Sequence, residues 1–109
     1  MSKESFFKDV WEVAKLIPEG RVSTYGAIAG YLSLKSAARM VGWAMMASHD
    51  LNEVQAHRVV NRAGVLSGKL HFETPTKMEE LLKKEGVHVK NDRIVDFKNV
   101  FWDPSENLL

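Results

Sequence analysis

The side chains best suited to bind or react gather in the middle of the chain. Residues 21–72 hold six lysines or arginines against two acidic residues, although the net charge of the whole chain is only +1. Such a local excess is typical of a basic surface that faces a polyanion. On charge alone, an ordinary solvated surface explains the pattern equally well. The basic residues are Arg21, Lys35, Arg39, Arg58, Arg62 and Lys69.

The chain contains no cysteine. A disulfide scaffold, a thiolate metal site and a cysteine nucleophile are therefore excluded. We expect neither a cofactor nor a bound metal. The first residues, MSKESFF, are charged and polar, and no apolar run approaches the roughly 18 residues that cross a bilayer. We therefore expect a cytoplasmic protein, in a prokaryotic cytosol or nucleoid, that does not contact membranes.

The length of 109 residues corresponds to a single domain spanning 1–109. With 45% hydrophobic and 27% charged residues, the composition is that of a globular domain rather than of a disordered or coiled-coil chain. Apolar residues from Phe6 to Ile17 recur at helical spacing and predict an amphipathic core helix.

Two short helices joined by a brief turn are predicted from about 24 to 47. Hydroxyl residues at 23–25 can cap the first helix, Ser36 can cap the second, and small residues allow the two axes to approach closely. This is the helix-turn-helix pattern, in which the second helix enters a DNA groove and Arg39 lies in its first turn. A plain helical hairpin with Arg39 exposed to solvent fits the same pattern.

An irregular region of about 48–70 follows, in which 54–60 reads as a strand or a tight buried loop. A helix is then predicted from Thr74 or Thr76 to Gly86, and a small hairpin around Asn91-Asp92. The tail from Phe101 onward reads as an apolar flap followed by a frayed end.

Four motifs, which follow one another in the family's order, carry a resemblance to a known family. They are residues 23–26, 38–42, 54–61 and 84–86, and the third contains Ala-His-Arg-Val. Over about residues 3–100 the chain resembles the C-terminal domain of the O6-alkylguanine-DNA alkyltransferases. That family has Pro-Cys-His-Arg-Val in its site loop, Arg-Ala-Val-Gly in its helix-turn-helix and a Glu-Gly pair after a later helix. The resemblance implies a mainly α single domain with small β elements, built on a winged helix-turn-helix.

Ala56 stands where the resemblance places the alkyl-accepting cysteine. The transfer needs a thiolate activated by a histidine that a carboxylate orients. His57 and Glu85 match those two partners, but an alanine methyl cannot accept an alkyl group. The resemblance therefore implies the alkyltransferase-like branch, whose members are not enzymes. Its implied partners are double-stranded DNA containing O6-alkylguanine and nucleotide excision repair proteins, bound by a monomer.

The resemblance also implies individual roles. Tyr25 matches the tyrosine that rotates the target nucleotide out of the duplex, and Arg39 the arginine that fills the gap, a task that suits a planar guanidinium. Lys35, in the predicted break between the two helices, and Ala38, in the second helix, are assigned to the same DNA-contacting surface. The lesion pocket is expected to contain Tyr25, Ala56, His57, Arg58, Val59, Ser67 and Gly68.

Several of these residues also have structural interpretations. We expect His57 and Glu85 to form a buried hydrogen-bonded pair that orients the loop, and Arg58 to tie that loop or to meet phosphate. Trp43, where the family commonly has glycine, is expected in the core because tryptophan is usually buried. Two further departures from the family are Gln55, which replaces a proline and predicts a less rigid loop, and Ser48, which matches a hinge asparagine if no gap intervenes.

Two other functions remain open from the sequence. A helix-turn-helix transcription regulator would prefer one DNA sequence and usually form a dimer, yet no dimerisation helix is evident. A residual enzyme would use His57 and Glu85 to activate water, or would transfer an alkyl group to another acceptor.

Overall fold

The structure is a computed structural model that describes residues 3–33 and 38–108. Six helices and four two-residue strands occur in these ranges, so the prediction of a mainly α domain with small β elements is confirmed. The predicted cap Ser36 and the candidate residue Lys35 lie outside the described residues. The elements are α1 (Lys3–Lys15), β1 (Ser23–Thr24), α2 (Tyr25–Tyr31), α3 (Ala38–Met46), β2 (Val59–Val60), α4 (Lys77–Lys84), β3 (Val89–Lys90), β4 (Arg93–Ile94), α5 (Phe97–Val100) and α6 (Pro104–Asn107).

The main core lies between α1, α2 and α3. The apolar stripe predicted on α1 is buried as expected, and it meets Val41, Ala44 and Met45 of α3, which recur at the i, i+3 and i+4 spacing of one helical face. Trp11 adds a polar tie, because its indole N–H donates to the carbonyl of Ala44 at 2.8 Å. The inward face of α3 is thereby fixed, and its opposite face points away from α1.

A short parallel ladder joins the start of α2 to the loop expected to carry the site. Ser23 pairs with Val59 and Thr24 with Val60. The region 54–60, read from the sequence as a strand or a buried loop, contains both kinds of structure, since a 3-10 turn (Ala56–Arg58) leads directly into β2. Residues about 35 positions apart in the sequence are thus held side by side.

A second, smaller core packs beneath α4 and the β3–β4 hairpin, and it includes Met78, Leu82 and Ile94. Helix α4 stops before Gly86, whose φ of +85° is a left-handed conformation that favours glycine. Asn91 and Asp92 both have positive φ, as a two-residue hairpin turn requires, so the predicted hairpin is confirmed.

The expectation of a frayed tail is wrong for residues 101–107. Trp102 is only 5% exposed and its backbone N–H donates to the carbonyl of Val22 at 2.7 Å. Asp103 then caps α6 by accepting from the N–H of Ser105, with Pro104 at the first helical position. No helix within the described ranges combines the length and the apolar character that a membrane span requires.

Candidate functional site

Helices α2 and α3 form the helix pair predicted from the sequence. Thr24 caps α2, its hydroxyl accepting from the backbone N–H of Ala27 at 3.0 Å. Ala38 and Arg39 begin α3 and are exposed, and no hydrogen bond or ion pair within residues 3–33 and 38–108 engages the guanidinium of Arg39. A free cation therefore stands at the first turn of the second helix.

The prediction that Trp43 is buried is wrong, because its side chain is 49% exposed. Val41, Ala44 and Met45 occupy the inward face of α3, and position 43 falls on the opposite side of the helix. Met40 and Met46 are exposed with it. The outer face of α3 thus combines the free cation of Arg39 with an aromatic ring and two thioethers.

Tyr25 lies at the first turn of α2 beside a small cavity of about 20 Å³, the space of roughly one water molecule. Burial raises the pKa of Tyr25, and a hydrogen bond with Ser67 opposes that rise. An added Cβ at Gly68 would stand 3.1 Å from the Tyr25 hydroxyl, so this glycine allows the ring to lie close. The lining residues are Tyr25, Gly42, Met45, Met46, His49, Ala56, Val59, Gly68, His71, Phe72 and Met78.

Ala56 lines this small cavity and also an adjoining one of about 460 Å³. Four residues are common to both cavities: Ala56, His49, His71 and Phe72. The small Ala56 methyl group is therefore part of the wall between a space beside Tyr25 and a much larger one. His57, Ser48 and Gln55 line only the larger cavity.

His57 and Glu85 are in contact behind this wall. The His57 ring nitrogen Nε2 lies 2.5 Å from Glu85 Oε2, and the two side chains are only 5% and 9% exposed. Glu85 also accepts from the Arg58 guanidinium, at 2.9 Å for the closest nitrogen, and from the backbone N–H of Gly20 at 2.8 Å. One carboxylate thus joins the 3-10 turn, the end of α4 and the segment after α1.

The charge states in this cluster follow from these contacts. Burial lowers the pKa of His57 more than the Glu85 carboxylate raises it, which favours neutral imidazole with its Nε2–H donating to Glu85. Burial alone would raise the pKa of Glu85, but hydrogen bonds from Arg58, the Gly20 N–H and His57 outweigh it and hold the pKa below its usual value. Glu85 is therefore an anion balanced by Arg58.

Arg58 was expected in the lesion pocket, and the structure places it elsewhere. It lines neither of the two cavities; its guanidinium donates to Glu85 and, through Nη1, to the carbonyl of Ile17 at 2.8 Å. Its side chain is 12% exposed, and these internal partners favour the expected role of tying the loop over a phosphate contact. Arg58 ties the site loop to the last turn beyond α1.

Folding also reduces the free positive charge of the middle region. Arg21 donates to the carbonyls of Val100 and Phe101, and Lys69 pairs with Asp92 at 2.5 Å. With Arg58 engaged as well, three of the five basic side chains of 21–72 that the structure describes have internal partners. Local charge counting from the sequence overstated the surface available to a polyanion.

Both cavities are also lined by three residues that were not predicted from the sequence, His49, His71 and Phe72. The His49 ring meets the Phe72 ring edge to face, at 4.5 Å between centroids. Burial, followed by the nearby His71, lowers the pKa of His49. The sequence signal for these residues was the presence of two histidines within or just beyond the predicted site loop.

A separate groove of about 580 Å³, lined by Trp11 and other residues of 8–15 and 50–54, contains none of the candidate site residues.

The family model described as the DNA-binding domain of 6-O-methylguanine DNA methyltransferase matches residues 5–87. Alkyltransferase-like protein 1 of Schizosaccharomyces pombe is 33% identical over 108 residues, which cover 95% of this chain and 100% of that protein. The chain belongs to the alkyltransferase-like family.

Two other relatives and one solved structure are similar to this chain in sequence or fold. The DNA base-flipping protein of Escherichia coli is 36% identical over 104 residues, covering 94% of this chain and 79% of that protein. The crystal structure of S. pombe Atl1 in complex with DNA containing O6-carboxymethylguanine has a TM-score of 0.85 at 32% identity, covering 95% of this chain and 100% of that one. A methylated-DNA–protein-cysteine methyltransferase of Salmonella typhimurium is 38% identical, but this chain spans 46% of its length.

Proposed function

We propose that this protein binds double-stranded DNA containing O6-alkylguanine, extrudes the damaged nucleotide and transfers no alkyl group. One observation carries the proposal: Tyr25 and Ala56 line the same cavity, at the base of an exposed helix face, in a chain without cysteine. The relatives named as a DNA base-flipping protein and as Atl1 bound to damaged DNA support it.

The helix pair supplies the DNA contacts in this proposal. Arg39 enters the stack and occupies the space that the extruded nucleotide leaves, since its guanidinium is exposed, planar and without a partner among the described residues. Tyr25 guides the nucleotide and lines the cavity that receives it. Ala38 contacts the backbone from the start of α3, and Lys35, which precedes it, adds a phosphate contact.

Selectivity for a damaged nucleotide over a normal one arises before the nucleotide enters the pocket. Extruding a base costs a few kcal/mol of unstacking and unpairing, and this cost is lowest for a damaged or mispaired base. The cavity beside Tyr25 measures about 20 Å³, so admitting a base requires the surrounding side chains, such as Met46, to move. The adjoining cavity of about 460 Å³ then offers room for the alkyl group beyond Ala56.

Ala56 makes the protein a sensor rather than an enzyme in this scheme. It takes the place of the acceptor cysteine, and the cluster behind it, His57 with Glu85 and Arg58, orients the loop instead of activating a nucleophile. A lesion that is bound and not repaired is then handed to nucleotide excision repair, for which the bound, distorted DNA is the signal.

The test is a titration of a short duplex carrying one O6-methylguanine against its unmodified twin at a fixed salt concentration. Tighter binding to the lesion duplex is expected, and Arg39→Ala and Tyr25→Ala should each weaken it, by about tenfold for a residue worth 1–3 kcal/mol. Arg93→Ala is the matched control, because Arg93 is an exposed arginine of β4 that lines neither site cavity. Equal affinity for the two duplexes would refute damage recognition.

The non-enzymatic part is tested separately. A mass spectrum of the protein after incubation with the lesion duplex is expected to show no added alkyl group, and digestion of the DNA should recover all of the O6-methylguanine. A mass increase on the protein, or restored guanine in the DNA, would establish one of the two enzymatic alternatives instead.

A further inference from the structure

The outer face of α3 holds an aromatic ring that none of the roles above uses. Trp43 follows Arg39 by four residues, so the two side chains project within about 40° of each other, about 6 Å apart along the helix axis. Met46, three residues further, lines the cavity beside Tyr25. Trp43 therefore sits between the cation at the start of the helix and the mouth of the cavity.

The exposure of Trp43 sets it apart from the other two tryptophans. Trp11 is half-buried and donates to Ala44, and Trp102 is 5% exposed within the main core. Trp43 is 49% exposed and has no ring contact with another aromatic side chain in the described part of the chain. Trp43 is not exposed alone, since Met40 and Met46 of the same helix are exposed as well, and an exposed apolar patch marks an interaction surface where a single apolar residue does not.

We propose that Trp43 stacks on the nucleotide adjacent to the extruded one and stabilises the opened helix. The inference rests on the proposed function, which brings DNA to this face of α3. An indole ring suits the role because every base offers a flat π surface, and stacking tolerates any neighbouring sequence. Arg39 then fills the gap in the stack, while Trp43 supports the strand between that gap and the cavity.

DNA is favoured over a second copy of this chain as the occupant. The free guanidinium of Arg39 shares the surface, and two copies facing each other across it would bring two such cations together. A polyanion removes that repulsion. The charge of the protein surface around Trp43 is therefore complementary to that of nucleic acid.

The experiment compares Trp43→Ala and Trp43→Phe with the wild-type protein on the lesion duplex and its unmodified twin. Trp43→Ala should lose about tenfold in affinity for the lesion duplex, within the range measured for loss of one stacked base, and much less for the unmodified duplex. Trp43→Phe should retain most of the affinity. Leu16→Ala is the matched control, since Leu16 is a 54% exposed apolar residue at the end of α1, which packs on the inward face of α3.

A second readout follows the ring itself. Acrylamide quenching of the wild-type fluorescence, minus that of Trp43→Phe, reports Trp43, and the lesion duplex should protect it more than the unmodified one. Equal affinity losses on both duplexes, unchanged quenching on binding, or protection without DNA together with dimer formation would each overturn the inference. Wild-type protein that binds both duplexes equally would instead refute the proposed function, whatever Trp43 does.

Discussion

Replacing Glu85 by alanine should remove much of the stability of the fold. The carboxylate is 9% exposed and balances the Arg58 guanidinium, which is 12% exposed. Removing one partner of a buried ion pair leaves an uncompensated charge and costs about 3–5 kcal/mol. The Gly20 N–H, which donates to Glu85 at 2.8 Å, loses its acceptor at a further cost of about 1 kcal/mol. Small domains have about 5–15 kcal/mol in total.

Urea denaturation followed by circular dichroism measures this loss as a lower midpoint. Glu79→Ala provides the matched control, because Glu79 lies in α4, the helix that ends just before Glu85, and its one ion pair among the described residues is with the exposed Lys83 at 2.8 Å. Exposed pairs of this kind contribute about 0.5 kcal/mol or less. If Glu85→Ala does not fold, Glu85→Gln keeps an acceptor for Gly20 and should lose about 2–3 kcal/mol through the missing charge.

Equal destabilisation by Glu85→Ala and Glu79→Ala would refute the claim that the buried contacts of Glu85 stabilise the fold. Such a result would mean that the cluster of His57, Arg58 and Glu85 gains nothing net from its burial, as happens when desolvation cancels attraction. The cluster would then have to be assigned a role in binding rather than in holding the loop.

Four other features give testable predictions: the buried His57, the position of Ala56, the backbone at Gly64 and the engaged basic residues. Burial holds the pKa of His57 below its unfolded value of about 6.5. The contribution of neutral His57 to the free energy of unfolding should therefore be fully present above that pH and be lost as the pH drops below it. His57→Gln should flatten this part of a pH series of urea midpoints. Ala56→Trp should weaken binding of bulky O6-alkyl lesions more than of O6-methylguanine in competition titrations, and comparable losses would exclude the larger cavity as the adduct space. Gly64→Ala should lower the free energy of unfolding more than Gly86→Ala does. Both glycines have positive φ, but only at Gly64 would the new Cβ meet a ring, that of Phe97 at 3.2 Å. Equal urea midpoints of the two variants would contradict this. The logarithm of the binding constant should fall with the logarithm of the salt concentration, with a slope near −3 or smaller in size. Arg21, Arg58 and Lys69 have internal partners, which leaves at most three basic residues of 21–72 for phosphate contacts, whereas a slope near −5 would indicate that all six reach phosphate.

Local patterns predicted the elements whose determinants are close in sequence. The helical spacing from Phe6 to Ile17, the hydroxyl cap at Thr24 and the turn at Asn91-Asp92 each act within a few residues, so no knowledge of the fold was needed. Asp103-Pro104 is an equally local signal, a cap followed by the preferred first residue of a helix, and it was overlooked.

The positions of Trp43 and Arg58 depended on tertiary packing and could not be read in this way. A short helix with many apolar residues has more than one possible inward face, and only its contact with α1 decides that Trp43 lies outside. The partners of Arg58, the carbonyl of Ile17 and the Glu85 carboxylate, come from segments 41 and 27 residues away. A basic residue in a sequence carries no sign of such distant partners.

The two-residue parallel ladder also makes the site depend on a contact between segments that are distant in the sequence. Tyr25 and Ala56 come together only when Ser23 pairs with Val59, which requires closure of a chain loop of about 35 residues. A partly folded chain can form both helices of the α2–α3 pair and still lack the cavity. Under the proposed function, lesion DNA selects fully folded molecules, and its binding free energy adds to their stability according to its concentration relative to Kd. In that proposal the damaged duplex is also a stabilising ligand of the protein.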